Sequence, residues 1–306
     1  MIVVACPGQG SQTPGFLSPW LELDGARARL EAYSDAAKVD LITHGTVSDA
    51  DTIRDTQIAQ PLIVAASLLT WHALGEAAGR AGGVAGHSVG ELAAIAATGV
   101  VSDETAMYLV GERGRAMAQA ATEAATGMSA VVGGVEADVL AAIAEHGLQP
   151  ANFNGGGQIV AAGALDALAQ LAENSPRGVR VIPLQVAGAF HTRYMGSAVE
   201  ALRGAVATVA GAQAPATSLW TNSDGSVVAD GQRALDLLVG QVSSPVRWDL
   251  CMQSFADNGI TGLVELSPAG ALVGLAKRGL KGTPTVAVKT PEDLEAAVAL
   301  LNGVAA

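Results

Sequence analysis

Apolar residues follow two rhythms along this chain. Short continuous runs at 2–5, 84–85 and 262–266 are closed off by glycine, proline or polar residues, which is the pattern of strands buried on both faces of a parallel sheet. A further run at 285–288 predicts a last strand. Between them apolar positions recur at helical spacing. Helices are predicted over 21–40, from Pro61 to Ala73, over 91–98 with Gly99 closing it, and from Ser102, whose hydroxyl and following Asp103 and Glu104 form an N-terminal cap. The polar stretch 44–51 reads as a loop or short helix. After residue 128 the texture tightens to strand 128–135, helix 137–146, strand 150–154, strand 158–163, helix 165–173 and strand 179–185. That order is βαββαβ, the ferredoxin-like unit. Helical patterns return at 192–210, 249–258, around Lys277 and at 293–301. The predicted organisation is α/β: a large, mostly parallel domain from residues 1–125 and 188–306, carrying a small inserted subdomain at 126–187.

Composition narrows the class. At 306 residues, 50% hydrophobic and 15% charged, the chain can bury a sizeable core, and much of its apolar content is alanine suited to close-packed helices. The net charge of −12, with no block of lysine and arginine, sets self-repulsion against any nucleic-acid role. No apolar run is long enough to span a bilayer, and residues 1–6 lack the basic flank of a signal peptide, so no membrane association and a cytoplasmic location are expected. Cys6 and Cys251 stand far apart without CxxC spacing, and no two of the five histidines share a metal-ligand spacing, so a mechanism without metal is expected.

Candidate chemistry centres on residues 84–92. Gly86, His87, Ser88, Val89 and Gly90 form GxSxG at a predicted strand-to-helix turn, the nucleophile elbow that pushes a serine hydroxyl out of the backbone. The pattern alone is weak, and a tight glycine-rich turn with an idle hydroxyl also satisfies it. Gln9, after the first strand, sits in PGQGSQ; it approaches a ligand with backbone and side-chain amide, or belongs to a plain turn. This loop is no dinucleotide fingerprint, because Thr13 stands where the third glycine of GxGxxG belongs and no GK[ST] follows. Arg113 falls on the apolar stripe of its helix, three residues after Val110 and four before Met117. A buried guanidinium needs an anion, either an internal carboxylate or that of a substrate. His191 is delivered by a loop just before a helix, as a base or as a structural hydrogen-bonding group. His44, His72 and His146 have surface, packing and helix-capping explanations.

Five segments taken together, PGQGSQ at 7–12, GHSVGE at 86–91, RGRAM at 113–117, AFHTRYM at 189–195 and QVSSPVRW at 241–248, resemble the malonyl-CoA:acyl carrier protein transacylase family in order and spacing over nearly the whole chain. The resemblance implies a large α/β-hydrolase-like domain with a ferredoxin-like insert, consistent with the independent reading of 128–185. It implies Ser88 as nucleophile, His191 as base held by the main-chain carbonyl of Gln241, an oxyanion hole from Gln9 and the Val89 N–H, and Arg113 as clamp for a malonyl carboxylate. His87 is implied to shape the pocket and Phe190 to crowd a C2 methyl. The implied reaction moves malonyl from malonyl-CoA, a substrate, to the phosphopantetheine thiol of acyl carrier protein by ping-pong kinetics, without a bound cofactor, for fatty-acid or polyketide synthesis; a self-contained enzyme of this size is expected to be a monomer. The carrier of this family is acidic. Lys277, Arg278 and Lys281 are the candidate docking patch, with a solvated helix end as the plain alternative. The family usually has Gly-Pro-Gly where Ser267, Pro268 and Ala269 stand here, a departure that touches none of the implied catalytic groups. The rival functions are a GxSxG esterase or thioesterase and a carrier-binding protein without catalysis.

Overall fold

A computed structural model describes residues 1–303. The opening apolar run is strand β1 (Ile2–Cys6). Helices α1 (Ala26–Ala37), α2 (Leu41–Thr46) and α3 (Thr56–Ala73) follow. The third helix does not begin at Pro61 as its sequence suggests. It begins five residues earlier, where the Asp55 carboxylate accepts the Gln57 N–H at 3.0 Å. Pro61 lies inside it, at the loss of one helical hydrogen bond that would ordinarily cost about 3 kcal/mol. Every residue from 59 to 70 is buried, so packing outweighs that loss.

Strand β2 (Gly83–Gly86) turns directly into α4 (Gly90–Ala97), and the long α5 (Asp103–Ala121) starts at Ser102, whose hydroxyl accepts the Thr105 N–H at 3.2 Å. The compact middle segment is β3 (Thr126–Gly133), α6 (Glu136–Glu145), β4 (Gln149–Gly155), β5 (Gln158–Ala164), α7 (Leu165–Glu173) and β6 (Val179–Pro183). It has a core of its own around Val131, Ile143, Leu148, Ile159 and Leu171.

The helix expected over 192–210 is shorter. A 3-10 turn (Arg193–Met195) intervenes, and α8 (Gly196–Val206) follows. Then come β7 (Ser218–Trp220), β8 (Val227–Val228), α9 (Gly231–Gln241), β9 (Val246–Arg247), α10 (Trp248–Asp257), β10 (Gly262–Glu265), α11 (Ala271–Gly279), β11 (Thr285–Ala287) and α12 (Leu294–Leu301). Strands β7, β8 and β9 are two or three residues long, too short for a periodicity to reveal them.

The strands form two sheets. The larger is ordered β11-β10-β1-β2-β7-β8, parallel except for the edge strand β8. The smaller is ordered β6-β3-β5-β4-β9, antiparallel within the middle segment. Its last strand, β9, comes from outside residues 126–187 and pairs parallel with β4. The small sheet is thereby tied to the return of the chain. β1 lies between β10 and β2, so the chain leaves it in opposite directions, and the crevice at the carboxyl ends of these strands is where ligands gather in open α/β sheets. The loop that lacks the usual Gly-Pro-Gly is accommodated by Ala269 at φ 50 beside Gly270 at φ 116, a conformation that costs alanine about 1 kcal/mol more than glycine. No helix among the described residues is long and apolar enough to cross a membrane.

Candidate active site

The elbow is built by two glycines that cannot be replaced without movement. A Cβ on Gly86 would stand 2.0 Å from the Gly90 carbonyl group, and one on Gly90 would stand 2.2 Å from the Cys6 carbonyl oxygen. This close passage of β2, β1 and α4 leaves Ser88 at φ 52, in the left-handed region. The strained backbone is held from outside the elbow. Asn222, just past β7, accepts the Ser88 N–H through Oδ1 at 2.7 Å and donates from Nδ2 to the Gly86 carbonyl at 2.6 Å.

His191 reaches the serine from a different part of the chain. Its Nε2 lies 2.7 Å from Ser88 Oγ, and its Nδ1 lies 2.8 Å from the main-chain oxygen of Gln241. A carbonyl only accepts, so Nδ1 carries the hydrogen and Nε2 is left to receive the serine proton. The ring is 4% exposed. Burial, and then the Arg113 cation, push its pKa down to about 3, so the imidazole is neutral at neutral pH.

Donors for an oxyanion are present beside this pair. The Ser88 N–H is spent on Asn222 and the Gly90 N–H on the His87 carbonyl. Among the described residues the backbone N–H groups of Val89 and Gln9 have no acceptor, and both residues line the cavity. The Gln9 side chain is turned aside, its Nε2 lying 3.4 Å from the Arg54 carbonyl. It is therefore the backbone of Gln9, not its amide, that remains open.

Arg113, on α5, is 1% exposed. Its Nη1 donates to Gln60 Oε1 at 2.6 Å and its Nη2 to Gln241 Oε1 at 2.8 Å, while Nε has no partner. Among the described residues no carboxylate lies within ion-pair distance of it, and the nearby acid Glu91 is reached only through the Gln241 amide. Burial lowers its pKa to about 10, with nearby Glu91 opposing, so the group stays cationic. Ser88, His191 and Arg113 all line one cavity of about 400 Å³, between the large sheet and the small one. Its walls are apolar at Met117, Met128, Val160 and Phe190 and polar at Asn152, Asn154 and Gln158. His87 also lines it, with Nε2 2.9 Å from Asn154 Oδ1 and its ring edge-on to Trp248.

Of the basic patch, Arg278 lines the cavity and packs beside the hairpin glycine Gly156, whereas Lys277 and Lys281 are exposed outside its lining. His44, His72 and His146 do not line it. Sequence reasoning missed four buried groups that brace the site. Gln60 is a polar residue in an otherwise apolar helical run, a signal that was available. Glu91 and the side chain of Gln241 lie inside recognised motifs but had no assigned work. Asn222 follows a three-residue strand and left no signal at all.

The pattern described as "Acyl transferase domain" matches residues 3–300. The malonyl CoA-acyl carrier protein transacylase of Mycobacterium tuberculosis (strain ATCC 25618 / H37Rv) is 49% identical over 298 residues, 96% of this chain and 98% of that protein. The crystal structure of MCAT from Mycobacterium tuberculosis superposes with a TM-score of 0.92 at 48% identity, covering 97% of this chain and 99% of that one. A malonyl-transacylase in complex with a type II PKS acyl-carrier protein superposes with a TM-score of 0.91 at 27% identity, covering 97% and 98% of the two chains. With the family pattern and a relative at this identity both running nearly end to end, the chain belongs to the acyl transferase family, among the malonyl CoA-acyl carrier protein transacylases.

Proposed function

We propose that this enzyme carries a malonyl group from malonyl-CoA to the phosphopantetheine thiol of acyl carrier protein through an ester on Ser88. The observation that carries the proposal is a serine–histidine pair at 2.7 Å sharing one cavity with a buried arginine that lacks an ion-pair partner. In the first half-reaction Ser88 Oγ attacks the thioester carbonyl while His191 Nε2 takes its proton. The carbonyl oxygen becomes an oxyanion that accepts from the Val89 and Gln9 N–H groups, each worth about 3 kcal/mol in such sites. The C–S bond then breaks, and His191 returns the proton to the departing CoA thiol. The second half-reaction reverses these roles: His191 deprotonates the carrier thiol, which attacks the ester and frees Ser88.

Arg113 supplies the selectivity. A malonyl carboxylate gives the guanidinium its missing anion, and an acetyl group leaves it unpaired. Phe190 is the wall that a C2 methyl would meet, a discrimination of about 1–3 kcal/mol. His87, through Asn154, shapes the wall facing the small sheet. We read the large domain, residues 1–125 and 188–306, as α/β-hydrolase-like, and the insert at 126–187 as ferredoxin-like from its β6-β3-β5-β4 strand order. We read the enzyme as a cytoplasmic monomer, and assign Lys277, Arg278 and Lys281, of which Arg278 lines the cavity, to docking of the acidic carrier.

Intact-mass measurement after brief exposure to malonyl-CoA tests the proposal. The protein is expected to gain one malonyl group, to lose it when carrier is added, and to gain nothing as Ser88→Ala. Free malonate released at full rate without carrier would mark a hydrolase instead.

A further inference from the structure

Arg113 is not electrically alone, because a single side chain links it to a buried acid. The Gln241 amide accepts from Arg113 through Oε1, and its Nε2, with two hydrogens to give, faces Glu91 Oε2, the Ser88 carbonyl at 3.1 Å and Asn222 Oδ1 at 3.2 Å. The arginine thereby dictates which way the amide points, and the amide presents its N–H to the acid. Glu91, in the first turn of α4 and 3% exposed, also accepts the Asn222 N–H at 3.1 Å. Its neighbours are donors throughout, and a helix N-terminus favours the anion as well. The buried cation and the buried anion therefore balance across Gln241.

A second carboxylate, brought by the substrate, breaks that balance. Two buried anions facing one buried cation is an arrangement that proteins relieve by taking up a proton. We propose that Glu91 is the counter-charge of Arg113 and that it becomes protonated when a malonyl carboxylate occupies Arg113. The proposal rests on the reading of Arg113 as the carboxylate clamp.

The titratable groups facing Glu91 leave it as the acceptor. Arg113 on α5 is cationic. Cys251 on α10 is held protonated by burial and by Glu91 itself, with Asp249 and Asp224 adding to that effect. His191 is kept neutral by burial and by Arg113, and must be free to take the serine proton. Burial pushes the Glu91 carboxyl up to about 7, so both of its forms are within reach at neutral pH. Acylation itself is proton-neutral well below the ordinary thiol pKa of about 8.5, because the serine proton leaves on CoA. Any net uptake therefore belongs to the site.

The test mixes the enzyme with malonyl-CoA in weakly buffered solution containing a pH indicator, with intact mass giving the ester formed. Uptake of a fraction of a proton per ester is expected at about pH 7.5, vanishing near pH 6, where the free enzyme already holds the proton, and offset toward pH 8 as the released thiol ionises. Glu91→Gln is expected to form the ester without the uptake. Ester formation with no uptake anywhere in this range overturns the proposal, and so does undiminished uptake in Glu91→Gln, which would put the proton on His191. Difference infrared spectroscopy on the unaltered enzyme decides the matter if the variant does not fold. Loading with ¹³C-labelled malonyl-CoA should raise a protonated-carboxyl band insensitive to the label, and its absence overturns the proposal. If no ester forms at all, the transfer reading fails and takes this one with it.

Discussion

Replacing Arg113 with alanine separates a substrate clamp from a structural strut. Of the five N–H donors of a guanidinium, Gln60 and Gln241 each take one, and the remainder, including the unpartnered Nε, are left for the acyl group. Two charge-assisted hydrogen bonds to a malonyl carboxylate, at about 1.5–3 kcal/mol each, amount to roughly 3–6 kcal/mol. At about 1.4 kcal/mol per factor of ten, kcat/KM for malonyl-CoA should fall by about a hundredfold to ten-thousandfold. Acetyl-CoA has no carboxylate to lose. Its loading of Ser88 should hold steady or rise, because the cavity no longer presents an unpaired cation to a neutral acyl group. Stopped-flow acylation with both thioesters measures the two rates in one preparation, and a thermal melt controls for the Gln60 and Gln241 oxygens that the substitution orphans. Arg113→Lys should fall between, keeping the charge but losing the planar fork. Equal losses with malonyl-CoA and acetyl-CoA would refute the reasoning, because they would mean that Arg113 serves only to hold Gln241 and, through its carbonyl, His191.

Four further outcomes are expected. Because burial and Arg113 hold His191 at about 3, the acid limb of kcat/KM should lie far below the ordinary histidine value of about 6.5, and a limb near 6.5 would contradict the assignment. The same depression means that the unfolded chain binds the extra proton between about pH 6.5 and 3, so stability should fall as pH falls through that window, with a shallower slope in melts of His191→Gln. Asn222→Ala orphans the Ser88 N–H and the Gly86 carbonyl, at about 1–3 kcal/mol for each buried group, and should lower both the melting temperature and the acylation rate; an unchanged rate would show that the elbow holds itself. Charge reversal at Lys277 and Lys281, which lie outside the cavity lining, should raise KM for the carrier several-fold, most strongly at low salt, while malonyl loading from CoA is unaffected. An unaltered KM would move the docking surface elsewhere.

Local chemistry made much of this protein legible in advance. The run at residues 2–5, the glycines around Ser88, the Ser102 cap and the βαββαβ alternation each carry their structural consequence in adjacent residues, because turn geometry, capping and periodicity are short-range effects. Arg113 announced itself by breaking its own helical stripe. The start of α3 did not, since an apolar core strong enough to bury residues 59–70 overrode the signal of Pro61.

What tertiary structure alone decided was the company those residues keep. The sequence places Ser88, Arg113, His191, Asn222 and Gln241 far apart, and no local rule states that the Gln241 carbonyl faces His191 while its amide spans Arg113 and Glu91. Nor does any predict that Asn222 steadies the serine, or that two residues of β9 join the small sheet from beyond residue 187. Those pairings follow from strand order and from burial. Polar groups carried into a dry interior must find partners there, and which partner each finds depends on elements that meet only once the chain has folded.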